Sequence, residues 1–325
     1  TIKKTFFSRQ KEGILVSFAI QLFTIPLVAY SYYEIPVYAM LINLFVLAVV
    51  NGLLGLTVLG VIVGMAFLPA GRVLFAPCGW MLDSYRFLCE VSLKIPGAQR
   101  ITGKPAHMRI FWYYLGLGVF LLAIYACARR NEKHKDCRET ADLCVSRRKK
   151  RLQGIVFSCF IAFLLLFLLF PQKKSFEIDF LDVGQGDGIY LCTGGGTSMF
   201  IDGGSTDVKQ VGKYRILPFL KAKGVSEISY WFVSHTDTDH VSGLKEVLVS
   251  GYRVEYLVFA KAVEKEAKTK ELAELARSHG TKVFYMQAGD TVRSKRAAMR
   301  CLYPKASDKA EDVNDLCLVL QFEEG

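Results

Sequence analysis

The sequence lacks the cysteine pattern of a disulfide framework or of a zinc ribbon. It has nine cysteines, an odd number, and none of them forms a CxxC pair. A fully paired disulfide framework and a cysteine zinc site are therefore excluded. Histidine is also scarce, with five in 325 residues, and most of the five stand alone.

Acidic residues are scarce in the first half of the chain. Residues 1–170 contain 20 Lys or Arg against 8 Asp or Glu, and residues 171–325 contain 21 against 22. The net charge of +11 therefore belongs to the first half alone. Basic residues gather on cytoplasmic loops for reasons of membrane insertion, and we favour this explanation over affinity for nucleic acid.

Charge-free runs of membrane-spanning length dominate the same half. A hydrophobic content of 52% and a mean hydropathy of +0.27 exclude a single soluble globule, so we predict a membrane domain over 1–170 and a soluble domain over 171–325. Residues 13–33, 110–128 and 152–170 each predict one membrane helix, since about 20 residues span the hydrocarbon core.

The apolar stretch 36–68 is too long for one upright span. As a single helix its 33 residues would measure about 50 Å. Asn51, Gly52 and Gly55 predict a break that gives two short spans near 36–50 and 53–68, for five spans in all. Residues 72–93 are amphipathic and fit either a helix in the headgroup plane or an ordinary packed helix.

A basic segment sets the predicted orientation. Residues 129–152 carry ten Lys or Arg, including the run 147–151. The positive-inside rule places this loop in the cytoplasm, together with the basic N-terminus. We therefore expect the domain after Phe170 to be extracytoplasmic.

The second half alternates short strands with turns and helices, which predicts an α/β domain. Predicted strands cover 176–182, 188–192, 198–202, 228–233, 254–259 and 282–286, with further strands near 291–303 and 316–322. Predicted helices cover 214–223, 242–249 and 263–279.

A concentration of ligand-type side chains follows the strand 228–233. His235, Asp237, Asp239 and His240 place two imidazoles and two carboxylates within six residues. A tight loop can aim such side chains at one point, and nitrogen with oxygen ligands suits Zn²⁺ or Mn²⁺. The alternative is a solvated polar turn that ends in a helix cap at Asp239.

The pattern HxDxDH resembles the metal loop HxHxDH of the metallo-β-lactamase superfamily, with Asp237 in place of the second histidine. Together with DVGQGD at 182–187 and IDGG at 201–204, it is similar to the competence (ComEC) family of bacterial DNA-uptake channels. The segments QLFTIP at 21–26, LINL at 41–44 and NDLCLVL at 314–320 resemble further family segments, although Cys317 replaces a serine.

The resemblance implies a multi-pass α-helical membrane domain followed by a partial α/β metallo-β-lactamase-like (αββα) domain. His235 and Asp237 would hold one metal ion, and Asp239 and His240 a second, with Asp239 also acting catalytically on the attacking water.

Five further residues of these motifs have two interpretations. The aspartates either support the metal loop or face a phosphate, and the glycine backbones approach a phosphate; the alternative for all five is that they only shape turns. They are Asp182, Asp187, Asp202, Gly184 and Gly186.

By the same resemblance, the protein would be a channel in the bacterial plasma membrane that admits single-stranded DNA, with an attached metal-dependent nuclease. Other DNA-uptake proteins are candidate partners. Two alternatives stay open: a channel whose second domain only guides DNA, and a membrane-anchored metallo-hydrolase with another substrate. A further histidine and a bridging carboxylate are expected beyond residue 325. We therefore expect residues 1–325 to bind metal weakly and to hydrolyse nothing.

The orientation can be tested by labelling intact cells with a membrane-impermeant maleimide. A cysteine engineered near Lys261 should react, because the second domain is expected outside, and one engineered near Lys135 should stay protected. The parent chain supplies the background from its own cysteines. The reverse labelling pattern would contradict the predicted orientation.

Overall fold

Two units make up the chain, and they meet where the composition changes. The computed structural model describes residues 2–135, 143–170, 174–294, 297–310 and 313–324. Its contacts divide the chain into Thr1–Phe170 and Pro171–Gly325. The first unit is helical with one small sheet, and the second is an α/β unit.

Five long helices form the first unit. A short antiparallel ladder pairs β1 with β2. It brings the end of α1, both ends of the α2–α3 segment and the start of α4 to one end of the unit. The elements are α1 Ile2–Tyr32, β1 Glu34–Pro36, α2 Ala39–Ala66, α3 Leu68–Leu93, β2 Gln99–Ile101, α4 His107–Lys135 and α5 Leu143–Leu168.

The predicted break near Asn51, Gly52 and Gly55 is wrong. These residues lie inside α2, a continuous helix of 28 residues, which is about 42 Å long. The chain turns instead at Phe67, whose backbone is extended, and a proline follows at the start of α3. Proline suits the first helical turn but not a helix interior, so Pro69 marks the boundary more strongly than the asparagine and glycines do.

Helix α3 folds back along α2 as an antiparallel hairpin. Three pairs of residues bring the helices close together: Gly64 with Gly71, Gly60 with Phe75, and Gly52 with Met81. The α2 numbers fall while the α3 numbers rise, so the helices are antiparallel. The closest approach is at Gly71, where a Cβ atom would lie 2.5 Å from Gly64 Cα. Small residues at such crossings let helix backbones meet. For residues 72–93 the contacts therefore favour the packed helix.

The predicted basic loop 129–152 is mostly helical. Helix α4 continues to Lys135 and α5 begins at Leu143, while residues 136–142 lie outside the described residues. Lys, Arg and Glu are good helix formers, so a helix can run on where the apolar sequence stops. The prediction of a loop was therefore too long at both ends.

Within the described residues, two segments are long and apolar enough to cross a membrane. They are Val49–Ala66 and His107–Cys127, of which only 6% and 17% is buried inside the molecule. A core helix of a soluble protein would be largely buried, whereas these helices expose apolar side chains around most of their surface. Two shorter apolar segments are Val16–Tyr32 and Gly154–Leu168.

A proline inside α1 is accommodated by tyrosines of α4. Pro26 has no N–H to donate to the carbonyl of Leu22, four residues earlier. The Tyr113 hydroxyl donates to that Leu22 carbonyl at 2.8 Å, and the Tyr114 hydroxyl donates to the carbonyl of Phe23 at 2.8 Å. The α1 backbone is thus satisfied by a neighbouring helix, as an apolar environment demands.

The second unit contains a six-stranded mixed sheet and a three-stranded antiparallel sheet. The large sheet has the order β3-β4-β5-β6-β7-β8, antiparallel up to β5 and parallel from β5 to β8. The small sheet has the order β11-β10-β9. The strands are β3 Glu177–Phe180, β4 Gly188–Cys192, β5 Ser198–Asp202, β6 Glu227–Phe232, β7 Arg253–Ala260, β8 Lys282–Met286, β9 Thr291–Ser294, β10 Ala297–Tyr303 and β11 Val319–Glu324.

Two apolar cores hold these layers together. One lies between the large sheet and the helices α6 (Leu217–Ala222), α7 (Thr238–Val249) and α8 (Ala267–Ser278), with Trp231 at its centre. The other lies between the two sheets and includes Phe232 and Met299. Helix, sheet and sheet thus form three layers, and the fourth, helical layer of an αββα fold has no counterpart among the described residues.

Most predicted elements of the second unit occur within a few residues of their expected bounds. The strands β4, β5 and β8 have the predicted bounds. Helix α7 begins at Thr238, four residues earlier than predicted. Asp239 and His240 therefore lie in the first turn of a helix, which fixes their side chains more firmly than a loop would.

Replacing Gly71 by alanine should destabilise the helical hairpin, because the added methyl group would overlap the backbone of Gly64. We expect a loss of about 1–3 kcal/mol. Gly79 is the matched control, since it lies in the same helix and a Cβ there has nothing within 4 Å. Thermal unfolding of the two detergent-solubilised variants measures the difference. Equal melting temperatures for Gly71→Ala and Gly79→Ala would contradict the close crossing.

Candidate metal centre

The candidate site lies at the carboxyl ends of parallel strands. Strands β5 and β6 end at Asp202 and Phe232, and α7 begins at Thr238. The segment Ser234–His240 connects β6 to α7, and α/β sheets present ligand-binding groups at this edge. The sheet therefore brings the predicted metal loop beside the IDGG turn.

Both imidazoles have one nitrogen held by the protein. The Nδ1 atom of His240 donates to Asp202 Oδ2 at 3.0 Å, while its Nε2 atom lies 3.5 Å from Asp239 Oδ2. The Nδ1 atom of His235 lies 3.0 Å from Ser234 Oγ and 3.4 Å from Cys317 Sγ. In both residues Nε2 is the nitrogen left to bind a ligand.

Three residues lie close enough together to hold a metal ion. The donor atoms of His235, Asp239 and His240 all lie within 4.8 Å of one another, and the two rings are 3.8 Å apart between centroids. Two nitrogens and one carboxylate oxygen are a donor set that suits Zn²⁺ or Mn²⁺. The residues present fit one divalent ion, which three protein ligands would leave open to water or substrate.

Asp202 supports this cluster from behind. Its side chain is only 6% exposed. Its Oδ2 accepts from His240 Nδ1, and its Oδ1 accepts from the backbone N–H of Ser234 at 2.8 Å. Its carbonyl accepts from Trp231 Nε1 at 2.6 Å. Of the two interpretations of Asp202, the contacts favour support of the metal loop.

The other two motif carboxylates, those of Asp187 and Asp182, are exposed and lie outside the cluster. Asp187 is at the rim, with Oδ2 3.8 Å from His240 Nδ1 and 66% of its side chain exposed. Asp182 is 89% exposed and forms an ion pair with Arg215 at 2.8 Å, and it also accepts from the N–H of Gly184 at 3.3 Å. The contacts of Asp182 are those of a turn carboxylate.

A glycine of DVGQGD lets the backbone of this segment pack directly against the backbones of IDGG and HxDxDH. A Cβ on Gly186 would lie 2.5 Å from Asp239 O and closer still to Gly204 O. Gly184 has a φ of +82° and packs against Asp207 and Val208. These contacts favour the turn and packing interpretation of Gly184 and Gly186 over an approach to phosphate.

Asp237 stands apart from the three clustered residues. Its Oδ1 accepts from Lys268 Nζ at 2.8 Å, and its Oδ2 lies 4.0 Å from His235 Nε2. The hydrogen bond from Lys268 lowers the pKa of Asp237. A ligand role for Asp237, and with it a second metal ion, stays a prediction.

The electrostatics distinguish the two histidines. Burial and the neighbouring His240 lower the pKa of His235, which favours its neutral, metal-binding form. Burial also opposes a charge on His240, but the hydrogen bond to Asp202 and the nearby carboxylates outweigh it and raise its pKa. In the neutral form of His240, the contact with Asp202 keeps the ring proton on Nδ1 and leaves Nε2 unprotonated.

Sequence reasoning missed three residues that contact the candidate site and a fourth, Asp207, that is hydrogen-bonded to the adjoining turn. Ser234 and Cys317 contact His235, Lys268 binds Asp237, and Asp207 accepts from the N–H of Gln185 and from Ser205 Oγ, both at 2.8 Å. The Gln185 bond lowers the pKa of Asp207. Ser205, directly after IDGG, and Asp207, two residues later, were the available signal in the sequence, whereas Lys268 comes from a distant helix.

Comparison with known proteins found competence proteins among the relatives of this chain. The family model described as competence protein matches residues 1–126. The chain is 24% identical over 329 aligned positions to ComE operon protein 3 of Bacillus subtilis, covering 96% of this chain. The chain is therefore similar in sequence to ComEC proteins.

This ComEC-like chain spans only part of its relatives. It covers 39% of the length of ComE operon protein 3. It is also 31% identical over 106 residues to Recombination protein 2 of Haemophilus influenzae, which is 32% of this chain and 13% of that protein.

Solved structures similar to the ComEC-like chain include metallo-β-lactamase folds at low overall similarity. The metallo-β-lactamase fold protein YhfI of Bacillus subtilis aligns with a TM-score of 0.31 and 12% identity, over 43% of this chain and 51% of that one. A metallo-β-lactamase of Staphylococcus aureus aligns with a TM-score of 0.29 and 12% identity, over 40% and 35%.

Metal binding should depend on Asp202 as well as on the candidate ligands. We expect Asp202→Asn to lower the affinity for Zn²⁺ or Mn²⁺ about 10- to 100-fold, because His240 loses the carboxylate that holds its Nδ1 proton. His240→Ala should lower it further. Calorimetric titration of the purified full chain measures both.

His279→Ala is the matched control for metal binding. His279 follows α8 and its Nδ1 atom contacts Ser278 and the Leu275 carbonyl, away from the cluster. If His279→Ala weakened binding as much as His240→Ala, the clustered residues would not be the metal site.

Proposed function

We propose that this chain takes part in the uptake of DNA during natural transformation, and that its second unit is a metal-dependent phosphodiesterase acting on single-stranded DNA. One observation carries the proposal. The cluster of His235, Asp239 and His240, supported by Asp202, occurs in the same chain as a competence-family match over residues 1–126.

The chemistry of the site suits hydrolysis of a phosphodiester. A bound divalent ion would lower the pKa of water and polarise a phosphoryl oxygen. His235 and His240 would hold the ion through Nε2, and Asp202 keeps the Nδ1 proton of His240 in place. Asp239 is the candidate general base, since its carboxylate lies at the cluster and is 35% exposed.

The proposal places the first unit in the bacterial plasma membrane with five crossings, one for each of α1 to α5. In this proposal α2 makes one crossing over the stretch 36–68, and the amphipathic helix α3 makes the next one packed against α2, in place of the two short spans predicted from the sequence. The N-terminus and the basic residues 147–151 are then cytoplasmic, and the second unit is extracytoplasmic. An anchor needs only one helix, so several crossings favour a pathway for DNA.

Two other functions compete with this proposal. The second unit could guide DNA without cutting it, or it could hydrolyse a different substrate while the helices serve as an anchor. A DNA guide has no need for a carboxylate-supported pair of histidines, which is why the structure favours a hydrolase. Substrate preference separates a nuclease from the remaining alternative.

The nuclease proposal is tested in the intact gene product with labelled single-stranded DNA and Zn²⁺ or Mn²⁺. We expect His240→Ala and Asp237→Ala to reduce degradation at least 100-fold, because they remove a candidate ligand or a charge beside it. Asn314→Ala should reduce degradation less, and His279→Ala should leave it unchanged.

A DNA-uptake assay in cells that carry each substitution accompanies the nuclease assay. Degradation at the parental rate by both the His240 and the Asp237 variants would show that the loop is not a catalytic metal site. Loss of uptake without nuclease activity in the parent would favour the DNA guide. Activity on another ester, with none on DNA, would favour the anchored hydrolase.

A further inference from the structure

Lys268, at the rim of the candidate metal centre, contributes little to the stability of the fold. Lys268 lies in the first turn of α8, and that turn has no acidic residue. A cation there opposes the helix dipole, so its position does not stabilise the helix. The Lys268 side chain is 69% exposed and that of its partner Asp237 is 43% exposed. Exposed ion pairs of this kind contribute little to stability.

The partner of Lys268 is unusual for its position. Asp237 is the N-cap residue of α7, yet its side chain makes no capping hydrogen bond. Its carboxylate lies between Lys268 Nζ, 2.8 Å from Oδ1, and His235 Nε2, 4.0 Å from Oδ2. Asp237 therefore holds an ammonium group next to the clustered histidines rather than capping its own helix.

The side chains around the two histidines are mostly acidic, so binding an anionic substrate there requires a positive charge. Four carboxylates surround the two histidines, and an anionic substrate would be repelled by them. They are those of Asp187, Asp202, Asp237 and Asp239. Among the ion pairs that the structure describes, Lys268 is the one Lys or Arg paired with any of these four.

We propose that Lys268 binds a non-bridging phosphoryl oxygen of the substrate, beside the clustered side chains of His235, Asp239 and His240. An ammonium group has three N–H donors, and the bond to Asp237 uses one. Lys268 would thus offset the carboxylate charge and orient a phosphodiester toward His235 and Asp239. This inference rests on the proposed function, since it names the group that recognises the phosphate.

Binding of inorganic phosphate to the full chain tests the proposal, by calorimetry with and without Mn²⁺. We expect Lys268→Gln to weaken phosphate binding about tenfold or more, the effect of losing one charge-assisted hydrogen bond. Lys268→Arg should retain most of the affinity. The affinity for Mn²⁺ alone should change less than twofold.

Lys245→Gln is the matched control. Lys245 is a partly exposed lysine of α7 paired with Glu271 at 3.7 Å, so its loss should leave phosphate binding unchanged. A thermal melt of each variant verifies folding, which an exposed lysine should not affect.

Three outcomes would overturn the assignment of Lys268. These are parental phosphate affinity in Lys268→Gln, no phosphate binding by the parent chain, and loss of Mn²⁺ affinity without loss of phosphate affinity. The last would mean that Lys268 acts only by holding Asp237. If phosphate binding depends on Lys268 but the intact gene product degrades no single-stranded DNA, the phosphate site stands and the nuclease proposal fails.

Discussion

The candidate site depends on one buried carboxylate. Asp202 ends strand β5 with a φ of 58°, a backbone conformation that residues other than glycine seldom adopt. This strained position aims one oxygen at the Ser234 N–H and the other at His240 Nδ1. The Asp202 side chain thereby connects the ends of β5 and β6 to α7. Because Asp202 is fixed at the end of β5, it also fixes the orientation of the His240 ring.

The glycines around Asp202 make this connection sterically possible. A Cβ on Gly204 would lie 2.5 Å from both His240 N and Thr238 O. Gly203 has a φ of +124° and Gly243 accommodates the Gly203 carbonyl. Because these contacts are between backbones, no side-chain adjustment can relieve them. The motif glycines and the metal loop are parts of one packed unit.

The sequence could predict the candidate site better than the helix boundaries and the tertiary contacts around it. Ligand-type residues and glycine turns are local signals, so the sequence could predict that His235, Asp239 and His240 lie together, and the strand bounds of β4 and β5 were correct. The turn at Phe67 was missed because a helix can continue through an asparagine and two glycines, at a cost of about 1 kcal/mol for each glycine. Lys268 and Cys317 join the site only through tertiary contacts, which no local pattern encodes.

The proline of α1 has a consequence for motion within the helical unit. Two carbonyls of α1, those of Leu22 and Phe23, are hydrogen-bonded to adjacent tyrosines of α4. A slide of either helix by one turn would leave both carbonyls without these partners among apolar side chains. Helices α1 and α4 should consequently shift only as a pair, so any opening in this unit has to occur along their contacts with other helices.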